Sequence, residues 1–351
     1  MSTPPGPRGR GAAANPENRF EALGYTRYPE ADLEEEIAPQ TQLLRDHSRS
    51  IIAYNDSPDI GFAASINPYR GCEHGCVYCY ARPTHEYLGF SAGLDFESRI
   101  LVKEDAPELL RAELSAPRWR PQLVALSGVT DPYQPAERRL RLTRRCLEVL
   151  AEFRNPAGVV TKSHLVTRDA DVLGELARHH AASVFLSVTT LDEALSGTLE
   201  PRAARPQRRL DAIARLSQAG IPTGVLVAPV IPGLTEHELP AILQAAARAG
   251  ARSAGYVVLR LPFGLKDIFL EWLERHRPGS KDKVVRRIES LRDGRLNDTA
   301  FGRRQRGTGP YAERIRSLFQ LGCARAGLSA QPPPVSAAAF RRPGAAQALL
   351  F

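Results

Sequence analysis

The chain predicts an α/β protein built on a parallel sheet with helices packed outside it. Strand-like and helix-like segments alternate from about residue 62 to residue 262, the pattern of strands joined by helical crossovers. The strand-like runs are short and continuously apolar, as expected for strands buried on both faces. The 190 residues from Cys72 to Leu261 divide into six units of about 32, close to the ~30 residues of a strand–helix–strand unit. Pattern alone leaves open whether such a sheet closes into a barrel. Either way, function belongs in the loops that follow the C-terminal ends of the strands.

In chain order, the strand-like runs lie at 62–66, 123–126, 159–161, 184–190, 225–228 and 256–261. Amphipathic stretches lie between them at 108–114, 140–153, 172–179, 208–219 and 236–249. Asp169 is placed to cap the third helix, and Thr235 with Glu238 has the spacing of a capping box for the fifth. Gly220 and Gly250 stand just past helix ends, where a left-handed residue closes the last turn. Further on, helices are expected near 267–276 and 284–291, followed by a polar basic loop, NDTAFGRRQRGTGPYAERI. Residues 1–20 are rich in Pro, Gly and Ala and read as a disordered tail, and 331–351 as a second flexible one. The expected organisation is a core at 21–262 with an N-terminal lead-in, and a C-terminal helical extension at 263–330.

Composition excludes several classes. Of the 351 residues, 43% are hydrophobic and 25% charged, which is ordinary for a globular chain. No apolar run approaches the ~18 residues that span a bilayer, and the N-terminus has no apolar core of a secretory signal. Five unevenly placed cysteines do not make a disulfide framework, so a reducing, cytoplasmic setting is expected. Of the 47 basic residues only five are Lys, so the Arg excess looks like a coding-composition bias. Between Arg275 and Arg316 there are 13 basic and 5 acidic residues, a local +8 equal to the net charge of the whole chain. Such a zone can attract nucleic acid, or be a solvated Arg-rich face.

The loop after the first predicted strand reads INPYRGCEHGCVYCYARPTHEY. Cys72, Cys76 and Cys79 form C-x3-C-x2-C, three of five cysteines within eight residues. In a reducing compartment such clustering points to metal, and thiolates suit zinc or an iron–sulfur cluster. Gly71 and Gly75 allow the backbone to wrap closely. Structural zinc uses four protein ligands, generally as two paired motifs, and no second pair exists. Three cysteines without a fourth leave an open position, which favours a reactive iron–sulfur cluster.

This motif, with Tyr78 as the aromatic before the last cysteine, resembles the radical S-adenosylmethionine (SAM) superfamily. The resemblance covers about residues 62–262 and implies a partial (β/α)6 TIM-type barrel. It implies that the three cysteines hold three irons of a [4Fe–4S] cluster whose fourth iron binds SAM. It further implies reductive cleavage of SAM to a 5′-deoxyadenosyl radical that abstracts a hydrogen atom from substrate, with a flavodoxin or ferredoxin as electron donor. The segments CVYCYARPTHEYLG, LDFESRILVK, SGVTDPYQPAERRLRLTR, TKSHLVTRD, LEPRAARPQRRL and PVIPGLTEHEL resemble a branch near the spore photoproduct lyases. In that lyase pattern a hydrogen-donating cysteine lies three residues before the Asp of the second-strand loop. Gly128 stands there in this chain, so thymine-dimer repair is not the expected reaction.

The same resemblance makes Tyr78, Thr130, Asp131, Lys162, Ser187, Thr189, Val230 and Ile231 candidates for SAM contact. Thr130 and Asp131 would face its amino group, Lys162, Ser187 and Thr189 its ribose or carboxylate, and Val230 and Ile231 its adenine. An Arg clamp on a carboxylate is also readable in Glu200 and Arg202. His85 and Cys146 are candidates for a catalytic proton or hydrogen donor; Cys146 and Cys323 also read as small buried hydrophobes. In FGRRQRGTGPY, arginines lie beside aromatics, so Phe301, Arg303, Arg304, Arg306 and Tyr311 are candidates for nucleic-acid or other substrate contact. The same loop reads equally as a lid on the open side of a barrel. The alternative to an enzyme is a non-catalytic nucleic-acid-binding protein with a structural metal site.

Overall fold

The computed structural model describes residues 6–20 and 40–343. The strands are β1 (Gln42–Arg45), β2 (Ile52–Tyr54), β3 (Ala64–Ile66), β4 (Tyr69–Arg70), β5 (Arg99–Val102), β6 (Val124–Leu126), β7 (Ala157–Thr161), β8 (Ala182–Ser187), β9 (Thr223–Val230) and β10 (Ser253–Val258). The helices are α1 (Leu94–Ser98), α2 (Ala106–Ser115), α3 (Glu137–Leu140), α4 (Leu142–Phe153), α5 (Ala170–Arg178), α6 (Glu193–Leu199), α7 (Pro206–Gln218), α8 (Leu239–Arg248), α9 (Leu265–His276), α10 (Lys281–Ser290) and α11 (Gly309–Ala326).

Seven strands form one sheet in the order β10-β9-β8-β7-β6-β3-β2. From β3 to β10 every neighbour is parallel and follows in chain order, so the six expected strands build the partial (β/α)6 barrel. β2 pairs antiparallel with β3 at one edge. A smaller three-stranded sheet, β1-β5-β4, flanks it. The apolar runs are buried because each faces other strands inside and helices outside: Ile66, Leu126, Val159, Val184, Leu186, Val225 and Val227 are fully enclosed. Among the described residues, no helix is long and apolar enough to cross a membrane.

Gly220 and Gly250 do take left-handed backbone after α7 and α8, at φ +75° and +102°. The two expected caps do not form. Asp169 precedes α5, but its carboxylate accepts from Tyr133, Arg144 and Arg168 instead of the helix N–H groups. Thr235 accepts from the Ile231 N–H, and Glu238 reaches back to the Thr190 hydroxyl and the Leu191 N–H. In both cases a tertiary partner competes better than the local backbone.

The stretch read as a polar loop ending in TGPYAERI becomes the 18-residue helix α11. Its buried residues Ala312, Ile315, Phe319 and Cys323 recur at helical spacing and pack against α8 and Tyr256. Interleaved charges on the other faces hide that stripe in a linear reading.

The terminal segments expected to be disordered are packed over much of their length. Residues 6–20 lie across the cysteine loop, with Ala12 buried and hydrogen bonds to Glu97, Asp95 and Glu86. Their backbone polar groups find acceptors and donors in the fold, which composition alone does not register. Ser336, Arg341 and Arg342 bond backbone carbonyls of His180, Phe153, Ala116 and Trp119. The remaining parts of the two expected tails, 1–5 and 344–351, and the lead-in 21–39 lie outside the described residues.

Candidate active site

Cys72, Cys76 and Cys79 lie just past β4, in the connection that follows the first barrel strand β3, all three as free thiols. Gly71 and Gly75 both take left-handed backbone, at φ +80° and +66°. At Gly75 a Cβ would stand 2.6 Å from a Glu97 carboxylate oxygen, so only glycine fits there. Burial pushes all three thiols up, and the charges of neighbouring acids and of one another add to this for Cys72 and Cys76. Among the described residues, no three His, Cys, Asp or Glu side chains stand close enough to hold a single metal ion. A four-iron cluster holds its thiolates farther apart than one ion does, and three reduced cysteines on one Gly-hinged loop fit that larger group.

The loop is gripped from behind by a residue the sequence reading passed over. Arg82 is fully buried, and its guanidinium donates to the carbonyls of Cys76 (3.0 Å), Gly75 (3.2 Å), Ala92 (3.2 Å) and Gly93 (2.9 Å) and to the Glu97 carboxylate. Glu97 in turn accepts from the N–H groups of Gly11 (2.9 Å) and Ala12 (2.8 Å). His85 lies behind the same loop, wholly buried between Phe90 and Phe96, with Nε2 2.9 Å from the Arg99 carbonyl. Burial lowers it to about 4, which keeps it neutral. Such surroundings hold it as a buried, neutral ring.

In front of the loop, the C-terminal strand ends bring several candidates together. The Tyr78 hydroxyl bonds the Glu200 carboxylate and lies 3.0 Å from the Thr189 hydroxyl. Thr189 also donates to Glu200 at 2.8 Å. Lys162 Nζ donates to the Ser187 hydroxyl (2.6 Å) and the Ala228 carbonyl (3.0 Å), and stands 3.9 Å from Glu200 and 5.7 Å from the Tyr78 ring centre. The acid's principal partner is Arg209, fully buried, and not Arg202. Burial alone would raise the Glu200 carboxyl, but Arg209 and Lys162 outweigh it and hold it at about 2. Arg202 pairs instead with Glu73 at 3.1 Å, next to Cys72. Arg209 was missed because it lies on α7, where an arginine reads as surface.

Asp131 ties the second and third strand ends together. Its carboxylate accepts from the Thr161 hydroxyl (2.6 Å), the Lys162 N–H (2.7 Å) and the Tyr133 N–H (2.9 Å), with His74 Nδ1 at 3.3 Å. Burial opposes its ionisation, but His74, Thr161 and Lys162 bring it down to about 2. The neighbouring Thr130 hydroxyl donates to the Tyr69 carbonyl at 3.1 Å.

Of the remaining candidates, only Ile231 lies against the cysteine loop. Val230 is enclosed in the barrel core, and Ile231 packs in a second apolar cluster with Cys76 and Tyr78. Cys146 lies on the buried face of α4 among barrel residues, and Cys323 on that of α11, as small buried hydrophobes. The arginines of the basic loop are engaged within the fold. Arg303 pairs with Asp293 and Asp298, Arg304 with Asp59, and Arg306 lies over the Tyr256 ring at 3.8 Å. Tyr311 donates to Glu236 at 2.6 Å. Gln305 accepts from the Val258 N–H at the end of β10, while Gly302 and Arg304 bond Asp59 before β3. The loop thus links the end of the last barrel strand to the segment that precedes the first.

A six-stranded parallel half-barrel with a three-cysteine loop after its first strand defines a class, and comparison identifies it. The profile of the Radical SAM superfamily matches residues 66–246, and the chain belongs to that superfamily. Its members use a [4Fe–4S] cluster and S-adenosylmethionine. An uncharacterised protein of Mycobacterium tuberculosis H37Rv is 40% identical over 219 residues, covering 62% of this chain and 64% of that protein. A radical SAM Nalpha-GlyT isomerase of Pseudomonas phage M6 is 29% identical over 182 residues, 52% of this chain and 36% of that protein. The chain therefore matches just under two thirds of the length of the first of these curated relatives and about a third of the second. Among solved structures, a spore photoproduct lyase with bound AdoMet and dinucleoside spore photoproduct has the same fold, with a TM-score of 0.56 at 16% identity over 82% of this chain and 80% of that one.

Proposed function

We propose that the protein is a radical SAM enzyme whose cluster is held by Cys72, Cys76 and Cys79. When bound, a reduced [4Fe–4S] cluster with SAM supplies reductive cleavage to methionine and a 5′-deoxyadenosyl radical, which takes a hydrogen atom from the substrate. The observation that carries this reading is the junction of the cysteine loop with the strand ends. Tyr78, between two of the cysteines, shares Glu200 with Thr189, Lys162 and Arg209.

The chain's own residues bind and orient. Glu200, ionised and buried, fixes the Tyr78 hydroxyl and so the pitch of the loop. Lys162 and Ser187 offer a cation and a hydroxyl to the SAM carboxylate or ribose. Asp131, ionised and held by three donors, has lone-pair capacity left for an ammonium group. Ile231, Leu195, Leu199 and Leu261 form the dry wall behind Tyr78 and Cys76, which excludes water where a radical must survive. The electron donor in this reading is a flavodoxin or ferredoxin.

The test is anaerobic reconstitution with iron and sulfide, reduction with dithionite, and quantification of 5′-deoxyadenosine after adding SAM. Cys76→Ala is run beside it. Product from the native protein, and none from the variant, supports the assignment. Iron and sulfide near four per chain with no 5′-deoxyadenosine, even after cell extract is added as a substrate source, overturns it.

A further inference from the structure

Arg260 follows β10 by two residues, so it stands at the C-terminal end of the sixth barrel strand, on the side where the cysteine loop lies. Its guanidinium sits 5.6 Å from the centre of the Tyr80 ring, and Tyr80 is the residue after Cys79. The group is half-buried, and its Nε is shut off from water without a hydrogen-bond partner. Among the described residues no carboxylate pairs with it.

The surroundings do not supply the missing counter-charge. Arg304 is close enough to repel Arg260, and Asp59, the acid within reach, is spent on Arg304 and on the Gly302 N–H. Arg292, almost wholly buried, is a second cation without a carboxylate bond; its guanidinium donates to the Arg304 carbonyl at 3.1 Å and to the Leu259 carbonyl. Asp298 is held by Arg303 at 3.2 Å. Removing a guanidinium from water without pairing it is costly, and such groups are normally paired. Here the rim of the barrel mouth keeps an excess of positive charge.

The same rim has room and ring faces. Tyr80 is 50% exposed, with its hydroxyl turned to the Gly128 carbonyl, and Phe301, under the Arg304 guanidinium, is 57% exposed. Beside Gly128 the nearest atoms to an added Cβ are 3.9 Å and 4.0 Å away, so there is space where Tyr80 meets the second-strand loop.

We infer that Arg260 is the anchor for an anionic oxygen group, phosphate or carboxylate, of the substrate. This rests on the reading above that the barrel mouth is the substrate side. A guanidinium pairs with either group through two parallel N–H···O bonds, and the neighbouring electropositive rim strengthens the attraction. An anionic group seated there would also supply the carboxylate-like partner that the fold leaves out. The substrate class is then a molecule bearing a phosphate or carboxylate, and a neutral substrate is disfavoured.

The experiment is calorimetric titration of the anaerobic, cluster-loaded protein at low salt with pyrophosphate and, separately, with citrate. Single-site binding of one of them, weakened at least tenfold in Arg260→Gln, partly restored in Arg260→Lys and weakening with added salt, is the expected result. The tighter of the two probes assigns phosphate or carboxylate. Absence of single-site binding for both probes overturns the inference, and so does equal affinity in the wild type and Arg260→Gln. Arg260→Lys keeps the charge, so it reads the site even where the glutamine variant folds poorly. Assay of 5′-deoxyadenosine on the same wild-type preparation keeps the two readings apart: its absence counts against SAM cleavage, whereas the titration reports the anion site directly.

Discussion

Arg82 and Glu97 form an ion pair in which both side chains are fully buried, and the pair's other hydrogen bonds go to the cysteine loop, to the carbonyls of Ala92 and Gly93 and to residues 11 and 12. The pair therefore sets where the loop carrying Cys76 and Cys79 can lie. Its worth is positional, since two buried charges recover little net free energy over an apolar pair.

Arg82→Met should leave the Glu97 carboxylate buried without its cation and destabilise the fold by about 3–5 kcal/mol. Denaturant unfolding of the metal-free protein measures that loss. Iron incorporation should fall in the same variant, because four carbonyls around the loop lose their donor. Unchanged stability together with full iron loading would refute the positioning role.

Gly11 touches the loop from outside, and a Cβ there would stand 1.8 Å from the Gly75 carbonyl oxygen. Backbone cannot yield as a flexible side chain does, so Gly11→Ala should expel the N-terminal strap. Limited proteolysis should then cleave within residues 6–20 at least tenfold faster than in the native chain. Equal cleavage rates would show that the strap contributes no protection.

Lys162 and Glu200 should separate function from stability. Lys162→Met keeps an unbranched chain of similar length and removes the cation from the Tyr78 face; 5′-deoxyadenosine formation should drop at least tenfold, with a stability loss of about 1–3 kcal/mol from the two hydrogen bonds given up. Glu200→Gln should instead cost about 3–5 kcal/mol, because Arg209 is left charged and buried. Activity assays and denaturant melts on the two variants give opposite orders if this is right.

His85 gives the pH dependence a sign. A histidine titrates near 6.5 in an unfolded chain, whereas in the fold burial lowers His85 to about 4. Between those values the unfolded chain holds a proton that the folded one lacks, so stability falls as pH drops through this window. The His85 contribution should cost about 2 kcal/mol between pH 7 and pH 5, visible in urea unfolding of the metal-free protein. In His85→Gln that part of the slope should vanish.

Local signals settled much of this protein. Six apolar runs of strand length, five amphipathic stretches between them and glycines at 220 and 250 were readable because periodicity and turn chemistry are written in neighbouring residues. The cysteine loop was readable for the same reason: its three donors fall within eight positions. The tertiary structure decided what those signals cannot encode. Glu200 chose Arg209 over Arg202, although Arg202 is nearer in sequence, because α7 returns Arg209 to the strand ends while Arg202 is drawn to Glu73. Asp169 and Glu238 gave up helix capping for partners contributed by other elements. The N-terminal strap and Arg304 acquired their places from acids far away in the chain, and Arg82 from Glu97 on the next helix. A buried charge must find compensation wherever the fold brings it, and that partner is set by three-dimensional proximity instead of by spacing along the sequence.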